Sequence, residues 1–214
     1  MTVGNLVDVY GRAIVSAPAV LAKGSQIDAV LDLSSGTYAG ALGATLTFAV
    51  GKTDSANDLT SGVIVRVFRQ EGDGAGAEIG APSLLYSQIG RLGKASIKST
   101  LTGAHSASAN TLTVSAYTQA NLTNGEWAML FGAAAARCEF VQLGLSASTT
   151  SIKLLTPLGI AHNNADTITN LADVWSVDVP VGGRIHVNCD YLTQAAGDDV
   201  IFGAWATIRT SVSY

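Results

Sequence analysis

Hydrophobic and polar residues alternate along much of this chain. Ile27, Ala29, Leu31 and Leu33 share one parity, with Asp28 and Asp32 on the other. Leu46, Phe48 and Val50 repeat the pattern against Thr45, Thr47 and Ala49, and Val63, Val65 and Val67 repeat it between Ile64, Arg66 and Phe68. Side chains along a strand point to opposite faces in turn, so a two-residue period marks a half-buried strand. The connections Ser34–Ala41 and Lys52–Ser61 carry the Gly, Asp, Asn and Ser that turns require. Glu71–Gly80 is acidic and rich in glycine, which predicts an exposed loop before a short apolar segment at Leu84, Leu85 and Tyr86.

Beyond Lys94 the texture shifts to Ser, Thr and Ala with shorter apolar runs. These predict strands at Ile97–Leu101, Thr111–Val114, Trp127–Phe131, Glu139–Leu145 and Ser151–Leu155. From Asp173 the longer alternation resumes, through Trp175, Val177 and Val179, then Ile185, Val187 and Cys189, then Val200, Phe202 and Ala204. Long strands, short strands and long strands again are explained economically by an all-β fold. Residues 25–94 and 173–214 would form a β-sandwich, with a small β-barrel inserted at 95–172, since insertions are best tolerated at surface loops whose ends lie close together. Residues 1–24, punctuated by Gly4, Gly11, Pro18 and Gly24, read as an extended N-terminal arm. Its apolar contacts would be Val3, Leu6, Val9 and Tyr10, the candidate interface residues. Such a segment could lie along a neighbouring copy, exchange a strand with it, serve as the first strand of its own domain, or remain disordered.

Composition narrows the function. Of 214 residues, 12 are Lys or Arg and 16 Asp or Glu, a net charge of -4. Charged residues are 13% of the chain and hydrophobic ones 48%, against roughly 25% charged in an average soluble protein. A disordered chain needs low hydrophobicity and high net charge, and a protein that binds nucleic acid by neutralising phosphates needs a basic surface. Neither description fits. So neutral a surface is better suited to burial within an assembly than to a free monomer, whose surface is usually charged and mixed. No run approaches the ~18 apolar residues of a membrane span, and Asp8 and Arg12 interrupt what would otherwise resemble a signal peptide. Neither nucleic acid nor membrane is an expected partner.

Motifs for catalysis are missing from the sequence: there is no Gly-x-Ser-x-Gly elbow, no Walker loop and no His-Glu-x-x-His. Gly72, Gly74 and Gly76 miss dinucleotide-loop spacing, and Glu71, Asp73 and Glu78 lack that of a calcium loop. Asp198 and Asp199 are adjacent and read as a turn. His105, His162 and His186 are scattered, with His162 expected to hydrogen-bond within the inserted module and His186 to lie on the polar face of its strand. Cys138 and Cys189 are too few for a disulfide framework or a zinc site; they are either buried free thiols or a single bridge. Trp127, Trp175 and Trp205 lie beside apolar residues and read as packing, with a sugar-stacking platform as the alternative. No catalytic residue, cofactor or metal is expected.

The middle segment carries a resemblance. Ala107–Val114 with its Thr-Leu-Thr-Val strand, Leu122–Glu126, Glu139–Val141, Thr149–Leu158 and the pair Ala161-His162 resemble a small β-barrel module common in virion proteins of tailed bacteriophages. Asn124-Gly125-Glu126 stands at the module's turn, and Asn164-Ala165-Asp166 stands where a glycine-containing turn often occurs. The flanking segments resemble, more loosely, the immunoglobulin-like β-sandwich of capsid decoration or cement proteins. This resemblance implies assembly and attachment and supplies no catalytic residue. It implies a structural virion protein, made in the bacterial host cytoplasm, that binds the outer head lattice as a homo-oligomer, a trimer by analogy, with the major capsid protein or other virion proteins as partners. The same module would serve a neck, tail or baseplate protein. A glycan-binding adhesion module is the alternative from another class.

Overall fold

The computed structural model describes residues 11–21, 24–52, 63–72, 78–90, 97–117, 122–132, 137–146, 148–179, 183–191 and 200–210. Thirteen strands and one 3-10 turn, Gly36–Tyr38, make up its regular structure. A four-stranded antiparallel sheet is built from β2 (Gln26–Asp32), β12 (Arg184–Tyr191), β4 (Val63–Gly72) and β5 (Glu78–Gly90), in that order. Facing it are β1 (Ala13–Leu21), β13 (Val200–Arg209), β3 (Gly43–Lys52) and β11 (Thr167–Val179), which continue into β8 (Trp127–Phe131), β9 (Cys138–Gly144), β10 (Ser151–Leu154) and β7 (Thr111–Thr113). β6 (Lys98–Thr100) pairs with β11 beside that path. The protein is an all-β sandwich.

The alternation explains the packing. Leu46, Phe48 and Val50 of β3 and Phe202, Ala204 and Ala206 of β13 face Val63, Val65 and Val67 of β4 and Ile185, Val187 and Cys189 of β12 in one core. The Phe48 ring lies 6.2 Å from Phe202 and 5.4 Å from Trp175. The opposite face of β3 and β13 is also covered: Ala49, Ile201 and Trp205 pack with Met129, Phe131 and Cys138. That double burial is why Val200–Trp205 is a continuous apolar run instead of an alternating one. A further core, from Ile97 to Ile168, gathers Leu112, Leu130, Val141, Leu143, Ile152 and Leu154. At its margin Leu101 bridges Val114, connecting the end of β6 to that of β7.

β11 ties the two cores together. Its first residues pair with β6 on one edge (Thr167–Thr169) and β8 on the other (Thr167–Asn170), while Leu171–Val179 pair with β3. The expected start at Asp173 is therefore six residues late. Thr169 and Asn170 are polar yet buried, so the apolar period breaks inside the strand.

Two further expectations are corrected. Residues 13–21 of the expected extended arm form β1, paired antiparallel with β13 of the same chain, so this part follows the first-strand alternative. Val3, Leu6, Val9 and Tyr10 lie outside the described residues. Glu71–Gly80 is not one loop: β4 runs to Gly72 and β5 begins at Glu78, because the long hairpin keeps its ladder despite the glycines. Asp73, Gly74 and Gly76 fall outside the described residues, as do Asp198 and Asp199.

Candidate functional site

A buried polar cluster lies in the second unit, the strands β6–β10 and the start of β11 around the Ile97–Ile168 core. β9 brings in Glu139, with Arg137 just before the strand; the turn leading into β11 brings His162 and Asp166. His162 Nε2 is 3.0 Å from Glu139 Oε1 and its Nδ1 is 2.9 Å from Asp166 Oδ2. Arg137 donates to both oxygens of Asp166, at 2.7 and 2.9 Å, and the Gly159 N–H donates to Glu139 Oε2 at 2.8 Å. His162 is fully buried, and Glu139 and Asp166 are nearly so.

Burial opposes ionisation of Asp166, but hydrogen bonds from Arg137, the Asn163 N–H and His162 outweigh it and hold the carboxyl below its usual range. The turn itself is pinned. His162 and His105 exchange backbone hydrogen bonds at 2.8 Å, and Asn164 accepts from the Gly103 N–H at 2.9 Å. Ala165 sits at φ +69, the conformation that glycine adopts without cost. The group fastens β9 to β11 and presents no open face to a substrate.

An open surface lies where the second unit meets the sandwich. Trp127, Phe140, Leu171 and Val174 line a groove of about 780 Å³, with Glu126, Asp173 and Arg12 among its polar residues. The Arg12 guanidinium sits 5.1 Å from the centroids of both Phe140 and Trp205, a cation–π arrangement that holds the start of β1 against β9. Trp127 is 48% exposed, so packing does not account for it as it does for Trp205, which is wholly buried. Trp175 is half-buried against the sandwich core.

The remaining sequence candidates separate. His186 is half-buried on the outer face of the small sheet, near Arg66, Asn188 and Asp190. Cys138 and Cys189 are buried and not bridged to each other, in different apolar clusters. Among the described residues no group of three or more His, Cys, Asp or Glu is arranged to hold a metal ion, and no helix is long and apolar enough to cross a membrane. Sequence reasoning missed Glu139 and Asp166 as partners of His162, and Arg137 as the partner of Asp166. The signals were present: Asp166 follows His162 by four residues, and Glu139 is a charge amid the apolar strand Cys138–Val141. No protein-family model and no curated protein matches the chain.

Proposed function

We propose that this chain is a structural protein of a bacteriophage particle, a decoration or cement protein that attaches to the outer head lattice and stabilises it. The observation that carries this reading is a uniformly β-built molecule whose exposed surface retains large apolar residues, among them Leu84, Ile89, Trp127 and Val174. Covering apolar surface stabilises a contact by ~25 cal/mol per Å², and modest contacts become strong when many copies bind a lattice together. The second unit, whose hydrogen-bond path returns from β7 to β6 through Leu101 and Val114, we read as the small barrel of the virion modules. Its His162 cluster would keep that module rigid on the sandwich. Partners are further copies of this chain and the major capsid protein, and a trimer rests on the resemblance alone. A place in the neck, tail or baseplate uses the same surfaces.

The test is co-sedimentation of purified protein with capsids of the encoding phage that lack it. Saturable binding, with capsids made more resistant to heat, supports the reading; no binding to heads redirects it to the tail, and no binding to any particle overturns it. A second reading is favoured by one observation, the exposed Trp127 beside Glu126 and Asp173. That arrangement would let a sugar ring stack on the indole while a hydroxyl donates to the Asp173 carboxylate. Binding on a glycan array that is lost in Trp127→Ala supports adhesion.

A further inference from the structure

A row of partnered residues crosses the outer face of the large sheet. Ile14 of β1, Trp205 of β13, Thr47 of β3 and Ser176 of β11 stand in line across four strands. Directly opposed residues of an antiparallel pair share a face, and on this face the Trp205 ring meets Phe140 of β9, 5.3 Å between centroids. The 780 Å³ groove beside Trp127 follows the row: Arg12, two residues before Ile14, stands at one end and Val174, two residues before Ser176, at the other. Residues two apart on a strand keep the same face. Trp127 and Val174 are 48% and 47% exposed. Glu126 also lines the groove, and its Oε2 is buried with no hydrogen-bond partner among the described residues. A buried acceptor left unpaired is costly, so the place calls for a donor as well as apolar cover.

The chain itself leads into this groove. β1 begins at Ala13, and the Arg12 guanidinium just before it is held 5.1 Å from the Phe140 and Trp205 centroids. Residues 1–10, which lie outside the described residues, therefore join the fold at the groove's Arg12 end. Between them stands Gly11 at φ +74, a left-handed conformation in which glycine turns the chain without steric cost. From β1 to β11 is three strand spacings, about 14 Å, and an extended chain covers ~3.3 Å per residue, so about five residues span the groove. Composition agrees: residues 1–10 hold one charged side chain, Asp8, beside Leu6, Val7, Val9 and Tyr10. Their backbone N–H groups and the Tyr10 hydroxyl are donors of the kind Glu126 Oε2 needs.

We propose that residues 1–10 of this same chain are the occupant of the groove: the segment turns back at Gly11, crosses β13 and β3 towards β11, and covers Trp127, Leu171 and Val174 with its own apolar side chains. Connectivity makes the choice of occupant. A tethered segment faces its site at an effective concentration in the millimolar range, so modest contacts keep it seated. Because one wall of the groove belongs to the second unit and the floor to the sandwich, the segment straps the two together. The inference goes beyond the virion reading and leaves Leu84 and Ile89 of the small sheet open for attachment. It closes the groove to a sugar.

The experiment is acrylamide quenching of tryptophan fluorescence on the full chain, on a chain lacking residues 2–10, and on the full-length variant Leu6→Asp/Val9→Asp. Trp127→Phe in each background subtracts the half-buried Trp175 and the wholly buried Trp205. Trp127 should be shielded in the full chain and severalfold more quenchable in both altered chains, with the β-rich circular dichroism unchanged. Should the truncation unfold, the double-aspartate chain, which keeps every residue of β1, decides alone.

Equal quenching of Trp127 in all the folded chains overturns the proposal. Shielding that appears only as protein concentration rises puts a neighbouring copy's segment in the groove and also overturns it. A full chain that binds a glycan through an accessible Trp127 upholds the sugar reading and removes the strap. Shielding lost in the altered chains, with capsid binding absent from all of them, upholds the strap and removes the virion reading instead.

Discussion

His162 Nε2 lies 3.0 Å from Glu139 Oε1, and the imidazole between Glu139 and Asp166 has no exposure to solvent. That contact joins the strand β9 to the turn entering β11, the strand shared by both cores. Removing one member of a buried polar cluster leaves its partner short of a hydrogen bond away from water, which typically costs about 1–3 kcal/mol. Glu139→Ala and His162→Ala should each lower the unfolding free energy measured in urea by that order. Glu139→Gln should cost less, because an amide can still accept from the Gly159 N–H and contact the ring.

Acid should loosen the same group. Asp166 has its carboxyl held below the ordinary value of 3.8 in the folded chain, so its ionised form stabilises the fold. This contribution is complete above the unfolded value and is lost as pH falls below it and through the lower folded one. Unfolding free energy measured between about pH 5 and pH 2 should fall in the parent and fall less steeply in Asp166→Asn. Asp32, lowered by hydrogen bonds from Ser34 and Ser35 against the opposing effect of burial, adds to the same acid limb and persists in that variant.

Ala165 offers a gain. At φ +69 its side chain occupies the left-handed region, where non-glycine residues cost roughly 1–2 kcal/mol. Ala165→Gly relieves that strain, offset by the greater freedom of glycine in the unfolded chain, about 0.4–1 kcal/mol. A rise in melting temperature of a few degrees is expected by calorimetry; a fall would mean that the methyl group is needed where it stands.

The thiols should be silent in the native state. Burial, helped by the charge of Asp190, pushes the Cys189 thiol up to about 12, and the thiolate is the reactive form. Cys138 is enclosed between the second unit and the sandwich. A disulfide-exchange reagent at pH 8 should find neither thiol until denaturant is added, and then both. Rapid labelling of the folded protein would contradict the packing described.

The sandwich was legible because its strands keep a period of two: the parity of Leu46–Val50, Val63–Val67 and Ile185–Cys189 in the sequence is the parity of the core. It failed where one strand serves two environments. β11 buries Thr169 and Asn170 among its first residues, and an apolar count cannot see a strand that satisfies polar groups. β1 was obscured by Pro18, which an edge strand tolerates and a central one does not. The Arg137–Asp166–His162–Glu139 group was only partly legible, since Glu139 comes from 23 residues earlier than His162 and only the fold brings it close. The exposure of Trp127 depends on which neighbours cover β8, and that is fixed by tertiary packing and not by local pattern.

The proposed virion role is tested most directly by quantitative mass spectrometry of purified phage particles from the source of this sequence. A decoration protein should be present in stoichiometry comparable to the major capsid protein and be released with the outer layer of the head. If the chain is absent from washed particles and found only free in the lysate, it is not a structural part of the virion and the account is contradicted.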